Sequence, residues 1–180
     1  MATPERQFSN NGNLPPYIPV SEGMWLSRLQ PTDEDAQDFY EFCRKNLEFL
    51  EGHHEDYPRD VVSPQKAKKG IEDSAAHSIL LWGIKTTDHQ GLAGVLSLED
   101  QGEGVYEIGV GLDEQMQNRG VATSSMNALA DAVFTAGGRK LVAKTDPTNF
   151  RSQKVLSRTH FTFAYKHPDG DFVYELLAQG

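Results

Sequence analysis

The chain has 180 residues, 17 of them Lys or Arg and 26 Asp or Glu, for a formal net charge of −9, and 38% of it is hydrophobic. This length fits one domain, the acidity counts against general nucleic-acid binding, and the apolar content is too high for a disordered chain. No apolar run approaches the ~18 residues of a membrane span, Pro4, Glu5 and Asn10–Asn11 leave no signal-peptide core, and a single cysteine (Cys43) excludes internal disulfides and cysteine-based zinc clusters, so a cytoplasmic single-domain protein is expected.

Residues 1–23, with Pro4, Pro15, Pro16 and Pro19, read as an extended or flexible N-terminal arm, and ordered structure is expected from Met24 as a strand through Leu29. Thr32 opens a helix, with Asp35 completing a capping box and Ala36, Phe39, Tyr40, Cys43, Leu47 and Leu50 forming the buried stripe. Cys43 lies on that stripe and is read as a core thiol. Glu51 to Asp60 is a polar loop, and Ser63-Pro64 starts a short helix reaching about Asp73. Three strands follow as an antiparallel meander: His77–Lys85, Gly91–Leu98 and Val105–Leu112. Gly120–Thr135 is helical with Gly137-Gly138 as its stop, Leu141–Thr145 a strand, and Asn149–Thr159 a helix. Phe161–Tyr165 and Phe172–Leu177 are strands joined by the turn His167-Pro168-Asp169-Gly170. The expected fold is α/β (α+β), with a mixed, mostly antiparallel sheet of about seven strands and about four helices.

Chemistry concentrates after Val105–Leu112. The next helix begins within Gln117-Asn118-Arg119-Gly120-Val121-Ala122-Thr123, where its first N–H groups lack intrahelical partners and can bind an anion; Gly120 and Ala122 permit close approach and Thr123 adds a hydroxyl. Neither a P-loop nor a dinucleotide fingerprint is present. From Gln117 to Arg158 the net charge is +5, against −14 for the remainder, which suits a polyanionic small ligand beside a cationic one.

Gln117-x-x-Gly120-x-Ala122 after Glu107-Ile108-Gly109-Val110-Gly111-Leu112, together with Asp146-Pro147-x-Asn149-x-x-Ser152-x-x-Val155-Leu156, resembles the paired signatures of the GNAT family of N-acetyltransferases, closest to its RimJ/RimL-like branch. The resemblance spans about Met24 to Leu177, an acetyltransferase domain taken as 24–180. It implies acetyl-CoA as co-substrate, bound in a V-shaped splay between the fourth and fifth strands of the seven expected. Main-chain groups of Val110 and Leu112 would meet the pantetheine arm, and N–H groups from Gln117 to Thr123 (Gln117, Asn118, Arg119, Gly120, Val121, Ala122, Thr123) the diphosphate. Asn149 would contact the pantetheine or acetyl end and Ser152 the thioester sulfur, with Arg119, Lys154 or Arg158 at the outer phosphate.

The implied reaction is direct attack of a primary amine, from a protein N-terminus or a small molecule, on the thioester in a ternary complex. Glu107 is the candidate general base, ahead of Glu99, Asp100 and Glu103 in or near a turn. Ser152 is the candidate donor to the departing thiolate, because Leu156 stands where relatives carry a tyrosine acid. His160 replaces the usual helix-ending glycine and is read as a tolerated C-terminal histidine. His53-His54-Glu55-Asp56 is not read as a metal site; Glu55, Asp56 and Tyr57 compete between an acceptor-facing role and an exposed loop. The resemblance also raises homodimerisation. A catalytically silent acyl-CoA-binding module, motivated by the absent tyrosine, and an interaction domain docking through residues 1–23 remain as alternatives.

Overall fold

A computed structural model describes residues 14–51 and 61–179, with the side chains of 48–51 outside that description. In chain order the elements are β1 (Tyr17–Ser21), β2 (Met24–Arg28), α1 (Asp33–Glu51), α2 (Pro64–Ala76), β3 (Ile79–Thr86), β4 (Gly94–Gly102), β5 (Val105–Leu112), α3 (Val121–Thr135), β6 (Lys140–Thr145), α4 (Phe150–Arg158), β7 (Thr162–Lys166) and β8 (Phe172–Leu177). One eight-stranded sheet runs β1-β2-β3-β4-β5-β6-β8-β7. Every neighbouring pair is antiparallel except β5 and β6.

The helices begin where local chemistry places them. The Thr32 hydroxyl accepts from the Asp35 N–H at 3.2 Å, and Asp35 reaches back to accept from the Gln30 N–H at 2.8 Å. Ser63 caps α2 by accepting from the Lys66 N–H at 3.2 Å, with Pro64 in the first turn, where no intrahelical donor is needed; α2 continues to Ala76, past the expected Asp73. The Asn149 side chain caps α4 through the Ser152 N–H at 3.0 Å.

Side chains alternate along the strands between two apolar layers. Trp82, Ile84, Leu96, Leu98, Tyr106 and Ile108 face α3 and α4, meeting Met126, Leu129, Val133 and Leu156. Val95 and Leu81, one residue out of phase, face α1 and α2 and meet Phe39, Phe42, Cys43, Ala67 and Ile71. Where helices bury the sheet on both faces, from β2 to β5, register is fixed, because a one-residue slip would exchange the two layers, whereas β7 is exposed along its length.

Three expectations need correction. The sheet has eight strands rather than seven, and ordered structure starts before Met24, because Tyr17–Ser21 pairs antiparallel with β2 and buries Ile18. Pro19 is tolerated there because β1 is an edge strand, whose outward positions need no ladder donor. Leu47 is 43% exposed; the inward position on α1 is Asn46, 3% exposed. Phe42 also joins the stripe. Leu50 and residues 1–13 and 52–60, including Pro4, the Asn10–Asn11 pair, His53, His54, Glu55, Asp56 and Tyr57, lie outside the described side chains or residues.

Candidate active site

β5 and β6 run parallel but pair only through Val105–Lys140, Tyr106–Leu141 and Glu107–Val142. On its other edge β5 stays paired with β4 through Leu112. From Ile108 to Leu112, the edge of β5 facing away from β4 therefore has no strand partner among the described residues. The two strands part into a wedge, as expected for the fourth and fifth of seven. Val110 and Leu112 lie along this open edge, with half-buried side chains packed against the α3 layer.

At the wide end of the wedge, β5 leads into a 3-10 turn (Glu114–Met116) and then α3. Gly120 holds φ +80° as the α3 N-cap, and a Cβ there would meet nothing within 4 Å. Glycine is required by the left-handed backbone rather than by crowding, and the space over it stays open. Ser124 makes the first α-helical bond, to the Gly120 carbonyl at 3.0 Å. Among the described residues, the N–H groups of Asn118, Arg119, Gly120, Val121, Ala122 and Thr123 have no acceptor, a row of donors at the positive end of a helix without acidic residues in its first turn.

A buried anchor, missed in the sequence reading, holds this loop from below. Asp113, 1% exposed, accepts from the Gln115 N–H at 2.9 Å and pairs with Lys45 of α1 at 2.7 Å; His89 Nε2 lies at 3.7 Å. Burial alone would push this carboxyl up, but the Lys45 ammonium, the Gln115 N–H and His89 outweigh it and hold it below the usual carboxylate value. Beside it, Asn46 donates to the Phe42 carbonyl at 2.9 Å and accepts from the Glu114 N–H at 3.1 Å. Only the Asp-first turn after a strand could have signalled this in the sequence; the side-chain partners of Asp113, His89 and Lys45, lie 24 and 68 residues away.

Gln117 sits where the anchor gives way to the row of donors. Its Oε1 accepts from Arg151 Nη1 at 2.9 Å, across the wedge at the start of α4, whereas its Nε2 is buried and without a partner. Arg119 pairs with Asp88 of the β3–β4 turn and donates to the Met116 sulfur at 3.2 Å. Lys154 and Arg158 are exposed further along α4.

On the opposite bank, the Asn149 Oδ1 is engaged in capping, which leaves its Nδ2 to donate outward, and half-buried Ser152 contributes a hydroxyl one turn away. Leu156 is 2% exposed inside the α3–α4 layer, so this position faces the core. His160 is exposed at φ +62°, in the conformation that a helix-ending glycine would supply without strain.

Glu107, the last residue of β5 paired with β6, lies on the α1–α2 face. Its carboxylate bonds Lys144 of β6 at 2.9 Å, across the throat of the wedge, with the two side chains 29% and 37% exposed. Glu99 stands directly opposite Glu107 on β4, within the strand rather than in a turn. The Lys144 ammonium is held above its ordinary value, first by the bond to Glu107 against the effect of burial, and further by Asp169 and Glu99. Asp100 accepts from the Gly102 N–H at 2.8 Å, and Glu103 is an exposed partner of Arg139. No metal-ligand cluster occurs among the described residues, and no helix among them is long and apolar enough to cross a membrane.

A protein-family model described as an acetyltransferase (GNAT) domain matches residues 26–162. A search of curated proteins finds no match. Among solved structures, RimL, a ribosomal L7/L12 alpha-N-protein acetyltransferase in complex with coenzyme A, is 24% identical with TM-score 0.79, over 89% of this chain and 97% of its own. The microcin C7 self-immunity acetyltransferase MccE, in complex with acetyl-CoA and AMP, is 23% identical with TM-score 0.75, over 93% and 99%. A Salmonella typhimurium acetyl transferase that modifies the N-terminal serine of ribosomal protein L7/L12 is 23% identical with TM-score 0.74, over 91% and 99%.

Proposed function

Since the chain belongs to the GNAT acetyltransferase family, we propose that it transfers the acetyl group of acetyl-CoA to a primary amine, either a protein N-terminal α-amine or a small-molecule amine, by direct attack in a ternary complex. The observation that carries the reading is the row of six unpartnered N–H groups from Asn118 to Thr123 at the mouth of the wedge. The open space over Gly120 fits the same ligand, because a diphosphate would satisfy main-chain donors that the protein alone leaves unmet.

The thioester supplies the activated acetyl group, and this chain supplies the surroundings. The free edge of β5 at Val110 and Leu112 takes the pantetheine arm as an added strand would, and Asn149 Nδ2 donates to it from the other bank. A protonated amine cannot attack, so a base must remove its proton; an α-amine near pKa 8 asks less of that base than a lysine-type amine near 10.4. Glu107 takes this role, directly or through a water, with Lys144 fixing its carboxylate at the throat. The Ser152 hydroxyl donates to the departing sulfur.

RimL is described as an alpha-N-protein acetyltransferase and the Salmonella typhimurium neighbour as modifying an N-terminal serine, which supports a protein N-terminus as one acceptor class, whereas MccE is described as a self-immunity acetyltransferase with acetyl-CoA and AMP bound. The reading includes a cytoplasmic enzyme whose partners are its amine acceptor and a second copy of itself, rather than nucleic acid or membrane. Leu156 keeps a second reading in play, a silent acyl-CoA-binding module, since its side chain is sealed in the core.

Calorimetry with acetyl-CoA, followed by free-thiol release over peptide N-termini and small amines, tests both. Micromolar binding with turnover on one acceptor class is expected. Binding without turnover on any acceptor favours the silent module, and no binding at high micromolar acetyl-CoA ends both readings.

A further inference from the structure

We infer that Lys144 decides which amines reach the base: its ammonium holds the Glu107 carboxylate at the apex of the wedge, where a charged amine would otherwise lodge, and so keeps the site for acceptors that arrive uncharged. The inference rests on the acetyltransferase reading above and deepens it, because that reading leaves the acceptor class open and gives Lys144 no part in the choice.

The geometry starts from the last rung between β5 and β6. Glu107 pairs there with Val142, and Lys144 stands two residues further along β6, about 6.6 Å at 3.3 Å per residue, where β6 has no β5 partner. Ala143, between Val142 and Lys144, is buried in the α3–α4 layer, so Lys144 projects from the opposite face, the one that carries Glu107. Its Nζ therefore reaches back to Glu107, at 2.9 Å, from the side on which the strands part. An amine approaching the carboxylate along the wedge meets a place that an ammonium already fills.

The charge balance at the apex depends on this residue. Glu99 faces Glu107 across the β4–β5 ladder, and Asp169 of the β7–β8 turn acts on the same ammonium. The bond to Glu107 outweighs burial, and Asp169 and Glu99 add to it, holding Lys144 above its ordinary value and charged. A protonated amine bridged to Glu107 has no lone pair to attack with and blocks the site. A neutral amine attacks: its N–C bond forms, the nitrogen's proton passes to Glu107, the C–S bond breaks and the sulfur leaves with the bonding pair. At pH 8.5 about three in four amines of pKa near 8 are neutral, against about one in eighty near 10.4.

β6 supplies its own control. Lys140 bonds Glu175 of β8 at 2.9 Å, with side chains 31% and 28% exposed, a pair much like Lys144 and Glu107 in length and exposure. Lys140, however, stands where β6 is laddered on both edges, to Val105 and to Leu177, so its ion pair ties strands that do not part.

The test follows free-thiol release at pH 8.5, using the most active amine of the acceptor panel above as substrate and N-acetyl-lysine amide, with pKa near 10.4, as competitor. The best acceptor should be weakly basic, such as a peptide α-amine, and the competitor should inhibit the unaltered chain weakly. Lys144→Met should tighten that inhibition about tenfold or more, as the freed carboxylate captures the ammonium. Its kcat on the best acceptor should fall about tenfold or more, because Glu107 is no longer held in place. Lys144→Arg, which keeps a cation on the carboxylate, should restore most of both values, and Lys140→Met should leave both unchanged. Lys144→Gln carries the test if the methionine variant does not fold. A strongly basic best acceptor, inhibition that stays weak without Lys144, or the same effects from Lys140→Met would overturn the inference. No turnover on any amine by the unaltered chain is a different result, since it removes the functional reading itself.

Discussion

Removing the Asp113 carboxylate tests whether the anchor beneath the loop carries its expected share of stability. The group makes two bonds while 1% exposed: the Gln115 N–H at 2.9 Å and the Lys45 ammonium at 2.7 Å. A turn-capping bond contributes about 1 kcal/mol. A charge-assisted bond contributes about 1.5–3 kcal/mol, taken at its lower end here because Lys45 is 45% exposed and regains hydration when released. Asp113→Ala should therefore cost about 2–4 kcal/mol, and Asp113→Asn, which keeps a cap acceptor, about 1–2 kcal/mol. Urea unfolding of Lys45→Met, Asp113→Asn and the double variant should give a coupling of about 1 kcal/mol or more at pH 7. The sign with pH follows from the depressed carboxyl: its contribution is complete above the unfolded value near 3.9 and is lost as pH falls through the lower folded value. Native chain and Asp113→Asn should converge in stability as the pH falls below that lowered folded value. A coupling below about 0.3 kcal/mol, the usual scatter for independent sites, or a gap that persists in acid would refute the argument.

Gly120→Ala should retain the fold, because no atom lies within 4 Å of the added Cβ, but forcing φ +80° on alanine costs about 1–2 kcal/mol. Relief by rotating the loop should weaken acetyl-CoA binding in calorimetry, and unchanged affinity would count against the row of donors. His160→Gly should raise the urea midpoint by an amount equal to about 1 kcal/mol, since glycine takes φ +62° without strain; a loss of stability would refute the reading of that helix end. Glu107→Gln should lower kcat by about a hundredfold or more while acetyl-CoA affinity stays the same, and full activity would remove it as the base. Cys43, whose thiol burial pushes up to about 12, should ignore disulfide reagents at pH 8 until urea exposes it; rapid modification of the folded chain would contradict its place in the α1 layer.

Features encoded by neighbours in the chain were legible in the sequence. Ser63-Pro64 and Asn149 start helices as read, because capping needs only residues two or three positions away. β5 and β8 match their expected bounds, since each apolar run follows a strong turn. The wedge came from the family resemblance, and its pairing now stops at Glu107 and Val142. β1 was hidden by Pro15, Pro16 and Pro19, which argue against a central strand yet are admissible at an edge. Periodicity alone puts Leu47 inside, but Asn46 occupies that position because the Glu114 N–H and the Phe42 carbonyl satisfy its amide. Lys144 beside Glu107, Arg151 beside Gln117 and Lys45 beside Asp113 join residues 34 to 68 positions apart, and no local pattern announces such contacts.

The brevity of the β5–β6 ladder also shapes how the molecule opens. Five strands with α1 and α2 form one leaf, three strands with α4 form the other, and three residue pairs hinge them within the sheet. A seam this short opens more readily than the long antiparallel ladders on either side, so amide hydrogens along it exchange by local parting rather than by global unfolding. A molecule lodged between the leaves acts as a rivet, and at a hundred times its dissociation constant it adds about 2.7 kcal/mol to the folded state.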